Sequence, residues 1–204
     1  MQLVYREFAK HRYVDPNSAS WKELPKHNLH PTSATFVARY RHRVVGTISV
    51  ILDSEIGLPL DDTYKEEIDK LRQQNRKICQ FTQLAVDRTF LKFRRKEGKR
   101  MSQLFVFVPL FKLSFQYCAL HAVDYFVMTI NPKHESFYKN VMMCHEVGDS
   151  KRSPALNHAP TSARGCHVQE AMSWSHKSRI WAEILVNPPS SAILLGQEVS
   201  AETS

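Results

Sequence analysis

Glycine is scarce, with six in 204 residues, and no glycine-rich nucleotide fingerprint occurs. A dinucleotide site of the doubly wound type is thereby excluded, because its backbone must approach a pyrophosphate with no side chain in the way. The four cysteines, Cys79, Cys118, Cys144 and Cys166, are scattered without a Cys-x-x-Cys pair. That argues against a cysteine-bound zinc and leaves reduced core thiols, as in a cytosolic protein. Long apolar runs are missing too. Leu104 to Phe111 is the longest, Lys112 stops it, and it is too short to span a bilayer. The opening stretch, Met1 to Tyr13, carries Arg6, Glu7, Lys10, His11 and Arg12 and lacks the apolar core of a signal peptide. A cytoplasmic protein is expected, with contact to a membrane surface left open. Acidic residues are outnumbered, 20 against 28 Lys plus Arg, for a net charge of +8 and a pI near 9.4. Such a balance favours acidic partners: nucleic acid, anionic lipid or an acidic protein. No nucleic-acid reading motif is present, which ranks nucleic acid last.

What is present suits one well-cored domain, over 1–186, followed by a disordered tail, 187–204, with paired prolines and small polar residues. Leu3, Val4 and Phe8 recur at helical spacing, which predicts a helix over Gln2 to Tyr13 ended by Asp15-Pro16. Thr35 to Tyr40 and Val44 to Leu52 are expected as antiparallel strands, the second central because it is rich in β-branched residues. Thr63 and Glu66 fit a capping box for a helix over Tyr64 to Asn75 whose apolar stripe is Tyr64, Ile68 and Leu71.

Ile78 to Val86 then reads as the strand around which the chain is organised. A basic loop, Asp87 to Arg100, follows it, and an apolar helix over Met101 to Ala122 follows that, with Pro109 as an objection. Tyr125 to Ile130 supplies the second strand of a βαβ unit, so the site is expected beyond the carboxyl end of the first, near Val86. A short helix over Pro132 to Met143, a strand over Cys144 to Gly148, loop-like text from Ser153 to Pro160, a strand over Arg164 to Met172 and a helix over Ser173 to Val186 complete the prediction.

This order of elements resembles the GNAT acyltransferase fold, an α/β fold with a central mixed sheet flanked by helices. Three stretches resemble the long-chain N-acyl amino acid synthases, which are related to the acyl-homoserine lactone synthases. One runs from Gly57-Leu58-Pro59-Leu60-Asp61 through Tyr64, Glu67, Leu71 and Arg72. Another is Leu84-Ala85-Val86-Asp87. The last joins Asn131-Pro132-Lys133-His134, Phe137-Tyr138, Pro154-Ala155-Leu156-Asn157 and Ala159-Pro160. Val44-Val45-Gly46-Thr47 also fits a strand pattern common in acyltransferases. The resemblance covers roughly Leu3 to Arg164. It departs from the family in two places: the chain starts too late for the family's first strand, and Gln80 or Gln83 stands where the family has a strand glutamate.

The resemblance implies transfer of a long-chain fatty acyl group from acyl carrier protein to the α-amine of an amino acid. The donor is then a phosphopantetheine thioester, and no cofactor stays bound. Tyr138 takes the place of a tyrosine that protonates the departing thiolate, although a core tyrosine is the equal alternative. The amide of Gln80 cannot act as a general base, which leaves His134 as the nearest titratable group. The backbone of Leu84, Ala85 and Val86 would hold the oxyanion if the sheet splays there. Asn131 would bond substrate or form a turn. Acetyl-CoA enzymes carry an Arg/Gln-x-x-Gly-x-Gly/Ala cradle after this strand, whereas Gly98 stands alone. Arg88, Arg94, Arg95, Lys96, Lys99 and Arg100, interleaved with Phe90, Leu91 and Phe93, instead suit docking of an acidic carrier. The alternative to an enzyme is a degenerate relative that binds carrier protein or acyl chain without turnover.

Overall fold

The computed structural model describes residues 2–15, 25–96 and 103–173, with the backbone alone at 94–96 and 172. The predicted helix over Ser173 to Val186, the tail 187–204, Lys99 and Arg100 lie mostly or wholly outside those residues. In chain order the elements are α1 (Gln2–Lys10), β1 (Ser33–Tyr40), β2 (Arg43–Leu52), α2 (Asp61–Arg72), β3 (Ile78–Val86), α3 (Arg88–Lys96) and α4 (Leu104–Leu120). They continue with β4 (Tyr125–Ile130), α5 (Glu135–Asn140), β5 (His145–Ser153), β6 (Ala159–His167) and α6 (Val168–Ser173). The six strands form one sheet in the order β1-β2-β3-β4-β6-β5. Every neighbouring pair is antiparallel except β3 and β4, which run parallel. No described helix is long and apolar enough to cross a membrane.

Alternation along the central strands divides the core between the two faces. Cys79, Phe81, Phe126 and Met128 join Phe107, Leu110, Phe111 and Phe115 of α4 on one face. Ile51, Ile78, Tyr125 and Val127 join Tyr64 and Ile68 of α2 on the other. The helix α1 lies on the α2 side, packing Leu3 and Val4 against Ala85. Gly165 in β6 is required by close approach, since a Cβ there would fall 2.5 Å from the Tyr125 ring and 2.8 Å from the Phe126 carbonyl oxygen. All four cysteines are buried and free, and Cys79 and Cys118 touch, Sγ to Sγ, at 3.4 Å.

Four local expectations are corrected. The capping box does not form: α2 starts at Asp61, and the Thr63 hydroxyl turns away to Ser153 Oγ at 3.4 Å. Tyr64 breaks the helical dihedrals there because its ring is buried and its hydroxyl donates to the carbonyl of Thr161 at 2.6 Å. The basic stretch after Val86 is a helix up to Lys96, not a loop. Asp87 caps it, its Oδ1 accepting from the amides of Thr89 and Phe90. Phe90 is buried against Tyr40 and Leu91 packs on the core, so of the three apolar residues in this helix only Phe93 points outward. The polar strand β5 runs on to Ser153, and β6 begins at Ala159 rather than Arg164. Neither strand has a periodic apolar pattern of its own, and their register comes from pairing with each other and with β4. Pro109 is tolerated in α4 because it sits in the second turn on the exposed side.

Residues of the first family-like stretch knot α2 to the sheet. Arg72 reaches Asp53 through two bonds of 2.7 and 2.8 Å, Asp61 at 2.7 Å and Asp69 at 2.7 Å. These partners, Asp53 first, raise its pKa further above the ordinary arginine value. Gly57 allows the turn, with φ at +71° and Asp61 Oδ2 only 2.4 Å from where a Cβ would lie. Arg72→Ala strands three carboxylates around one vacated place. It is expected to cost about 2 kcal/mol of unfolding free energy, less than a fully buried pair because all four groups are partly solvated. Urea titration measures this loss, and a change within experimental error would refute it.

Candidate active site

Strands β3 and β4 pair from Ile78 with Tyr125 to Phe81 with Met128 and then part. The neighbouring β2 holds on to β3, pairing Thr47 with Ala85 and Gly46 with Val86. Between Ser49–Thr82 and Thr47–Ala85, β2 supplies one residue, Ile48, where β3 supplies two, Gln83 and Leu84. This is a β-bulge, and it bends β3 away from β4. Gln83 adopts a left-handed φ of +53°, a strained state for a residue with a side chain. Its amide is tied to Asn28 by 3.1 and 2.9 Å bonds and to the Ser49 hydroxyl at 2.7 Å, which holds the bulge. Past Phe81 the β4-facing edge of β3 has no ladder partner, and the amides of Leu84 to Val86 lie on that stretch.

A cavity of about 740 Å³ occupies the parting, within the range of about 300–1,000 Å³ usual for ligand sites. Its walls come from both faces of the sheet. Phe107, Phe111, Phe137 and Tyr138 bound it on the α4 side, and Glu7, Leu60, Thr63 and Gln80 on the side of α1 and α2. Among the residues singled out from sequence, Gln80, Leu84, Ala85, Val86, Arg88, Asn131, His134 and Tyr138 all line it.

Tyr138 stands on α5, edge-on to Phe137 at 5.3 Å, and its hydroxyl has no hydrogen-bond partner among the described residues. Burial, with a smaller contribution from Cys144, raises its phenol well above the ordinary value, so the group stays protonated. Its helix is anchored to β6 by an ion pair between Glu135 and Arg164, a residue only 4% exposed. Gln80 is buried, and its Oε1 accepts from the Leu60 amide at 2.9 Å. That bond fixes which way the amide faces, so the NH₂ group, which has no acceptor among the described residues, is the end left for the cavity.

Asn131 is used at both ends: Oδ1 accepts from the Lys133 amide at 2.9 Å and Nδ2 donates to the Tyr13 hydroxyl at 2.7 Å. It shapes the turn that presents His134, which is exposed at the cavity rim. Arg88 opens α3 and lines the same cavity. Arg94, Arg95 and Lys96 continue that helix.

Sequence reasoning did not single out Glu7 and His11, which line the cavity one helical turn apart at i and i+4. Glu7 is 5% exposed, with Oε1 held by Lys10 at 2.7 Å and by Arg6 Nε at 3.5 Å. Burial, then Arg88, push the His11 imidazole below its ordinary pKa, with Glu7 acting in the opposite sense. The signal was available: Glu7 falls on the stripe of Leu3 and Val4, where a helix packed on a sheet normally carries an apolar side chain. Among the described residues no group of three or more His, Cys, Asp or Glu is arranged to hold a metal ion.

Residues 1–166 match the family described as N-acyl amino acid synthase FeeM. The chain belongs to this family. The solved structure of FeeM, an N-acyl amino acid synthase from uncultured soil microbes, superposes with a TM-score of 0.72 at 26% identity, over 87% of each chain. The CoA-dependent acyl-homoserine lactone synthase BjaI, solved with SAM and isopentyl-CoA, gives a TM-score of 0.58 at 13% identity, over 88% of this chain and 79% of its own. Mutant forms of the spermidine/spermine N-acetyltransferase SpeG from Vibrio cholerae give 0.51 at 11%, over 85% and 91%. No curated protein sequence matches. The last two likenesses carry the fold, and membership of the FeeM family makes the chain an acyltransferase.

Proposed function

We propose that this FeeM-family acyltransferase moves a long-chain fatty acyl group from the phosphopantetheine thioester of acyl carrier protein to the α-amine of an amino acid. The observation that carries the reading is the parting of β3 and β4 at the bulge, which gives a thioester a place between the β4-facing edge of β3 and a free tyrosine hydroxyl. The thioester carbonyl accepts from the β3 amides around Leu84 to Val86, which stabilise the negative oxygen of the tetrahedral adduct. Tyr138 protonates sulfur as the C–S bond breaks. Leu104, Phe107, Phe111 and Phe137 give the acyl chain an apolar wall. A carrier-bound donor is favoured over a free nucleotide one because no glycine cradle follows β3, whereas a cationic helix does. Arg88, Arg94, Arg95 and Lys96 on that helix, with Lys99 and Arg100 after it, match an acidic carrier.

Mass spectrometry of lipids from cells expressing the chain is the test, and a new acyl-amino-acid species is the expected result. With purified thioesters, kcat/KM should rise about fourfold per added methylene until the apolar wall ends, from roughly 0.8 kcal/mol per buried CH₂. Soluble protein that yields no such species would leave binding without turnover as the better description.

A further inference from the structure

The acyl transfer proposed above has an acid on the α4 side of the sheet but no base on β3. Gln80 cannot serve, because an amide takes up no proton near neutral pH; its carbonyl oxygen accepts from the Leu60 amide and its nitrogen is a donor. We propose that Glu7 of α1 is the proton acceptor for the incoming amine, taking over the task that a strand glutamate would perform. This inference rests on the acyl-transfer reading and concerns one residue within it.

Three observations converge on Glu7. It is a carboxylate on a nearly inaccessible residue, 5% exposed, and the cavity is the space it borders. Only one of its oxygens is engaged: Oε1 meets Lys10 and Arg6, while Oε2 has no partner among the described residues. The packing of Leu3 and Val4 on Ala85 sets α1 against the β3 segment whose amides would hold the thioester oxygen. A carboxylate oxygen that borders the cavity and is left without a donor is open to one from a ligand, and an amine supplies it. The remaining charges around it fit a zwitterion. Arg88 lines the same cavity and, like Glu7, acts electrostatically on His11, so an amino acid's carboxylate is attracted to Arg88 while its amine turns to Glu7.

The step balances as follows. The amino acid's ammonium gives a proton to Glu7 Oε2, and the neutral nitrogen then attacks the thioester carbon and forms the C–N bond. The adduct's extra nitrogen proton passes to water, the C–S bond breaks, and sulfur takes the Tyr138 proton. Glu7 releases its proton to solvent and Tyr138 regains one, so the net products are the amide, the free thiol and one proton. Base and acid thus stand on opposite faces of the sheet, reaching the same carbonyl through the gap between β3 and β4.

The test uses purified full chain, a tetradecanoyl thioester of phosphopantetheine, and two acceptors: an equimolar mixture of the protein amino acids, and an aminooxy acid, whose nitrogen is unprotonated at neutral pH. Glu7→Gln keeps the size of the side chain and should lower kcat with amino acids by about 10²-fold or more. The loss with the aminooxy acid should be at least tenfold smaller. Glu7→Asp, which keeps the charge but shortens the reach, should fall between wild type and Glu7→Gln and show the same preference, and it serves if the glutamine variant does not fold. Equal losses with both acceptors, or a Glu7→Gln enzyme within threefold of wild type, would overturn the role of Glu7 and leave the acyl transfer standing. A wild-type chain inactive with both acceptors would sink the two together.

Discussion

Tyr138→Phe is expected to lower kcat by about 10²- to 10⁴-fold, the usual contribution of a positioned general acid, with KM for the acyl donor changed only a few-fold. The phenol lines the cavity, makes no hydrogen bond of its own among the described residues, and is buried enough that its proton is held far more tightly than in free tyrosine. Removing the oxygen takes away a donor to the leaving sulfur but no structural bond, so the fold should survive. The pH dependence follows in sign. The acid works when protonated and burial raises its pKa, so the wild type should show no alkaline loss from this group below about pH 10, where an ordinary tyrosine begins to ionise. Single-turnover kinetics, with the melting temperature as a control, decide the matter. A variant that keeps wild-type kcat would remove Tyr138 from the chemistry.

Phe81→Ala should be the most destabilising single truncation considered, at about 3–5 kcal/mol. The residue occupies the last paired position before β3 leaves β4. Its ring is stacked on Phe126 at 4.8 Å and meets Phe111 and Phe115 edge-on at 5.7 and 5.5 Å. Truncation removes the centre of this cluster, and the surrounding rings are already committed to one another, as between Phe107 and Phe111 at 4.2 Å. For a chain of this size the loss corresponds to a fall in Tm of about 6–20 °C. Phe105→Ala, at a site 68% exposed, is the matched control and should stay within about 0.5 kcal/mol. Similar losses for the two would contradict the packing described.

The parts that could be read from sequence were those whose signal is local. The bounds of β3 and β4 match expectation residue for residue, and those of β2 to within one: β2 and β4 are rich in β-branched or aromatic residues, and β3 is buried at its first four positions. The apolar stripe of Tyr64, Ile68 and Leu71 was legible although the capping box beside it was not. Spacing predicts which face a residue joins, but not whether a hydroxyl will prefer Ser153, far along the chain, to its own helix. The basic segment was misjudged for a related reason. Its charges read as a loop, whereas Asp87 and the burial of Phe90 make it a helix.

By itself, then, the sequence determined the βαβ core and the motifs that mark the family, since each depends on neighbours a few positions apart. Tertiary structure alone decided the rest. It locked Gln80 to Leu60, tied the Gln83 bulge to Asn28 and Ser49, opened the gap between β3 and β4, and brought Glu7 from the first helix to its edge. The physical reason is common to all four: what a residue can bond to or pack against is written in its chemistry, but which partner claims it depends on segments that meet only after the chain has folded.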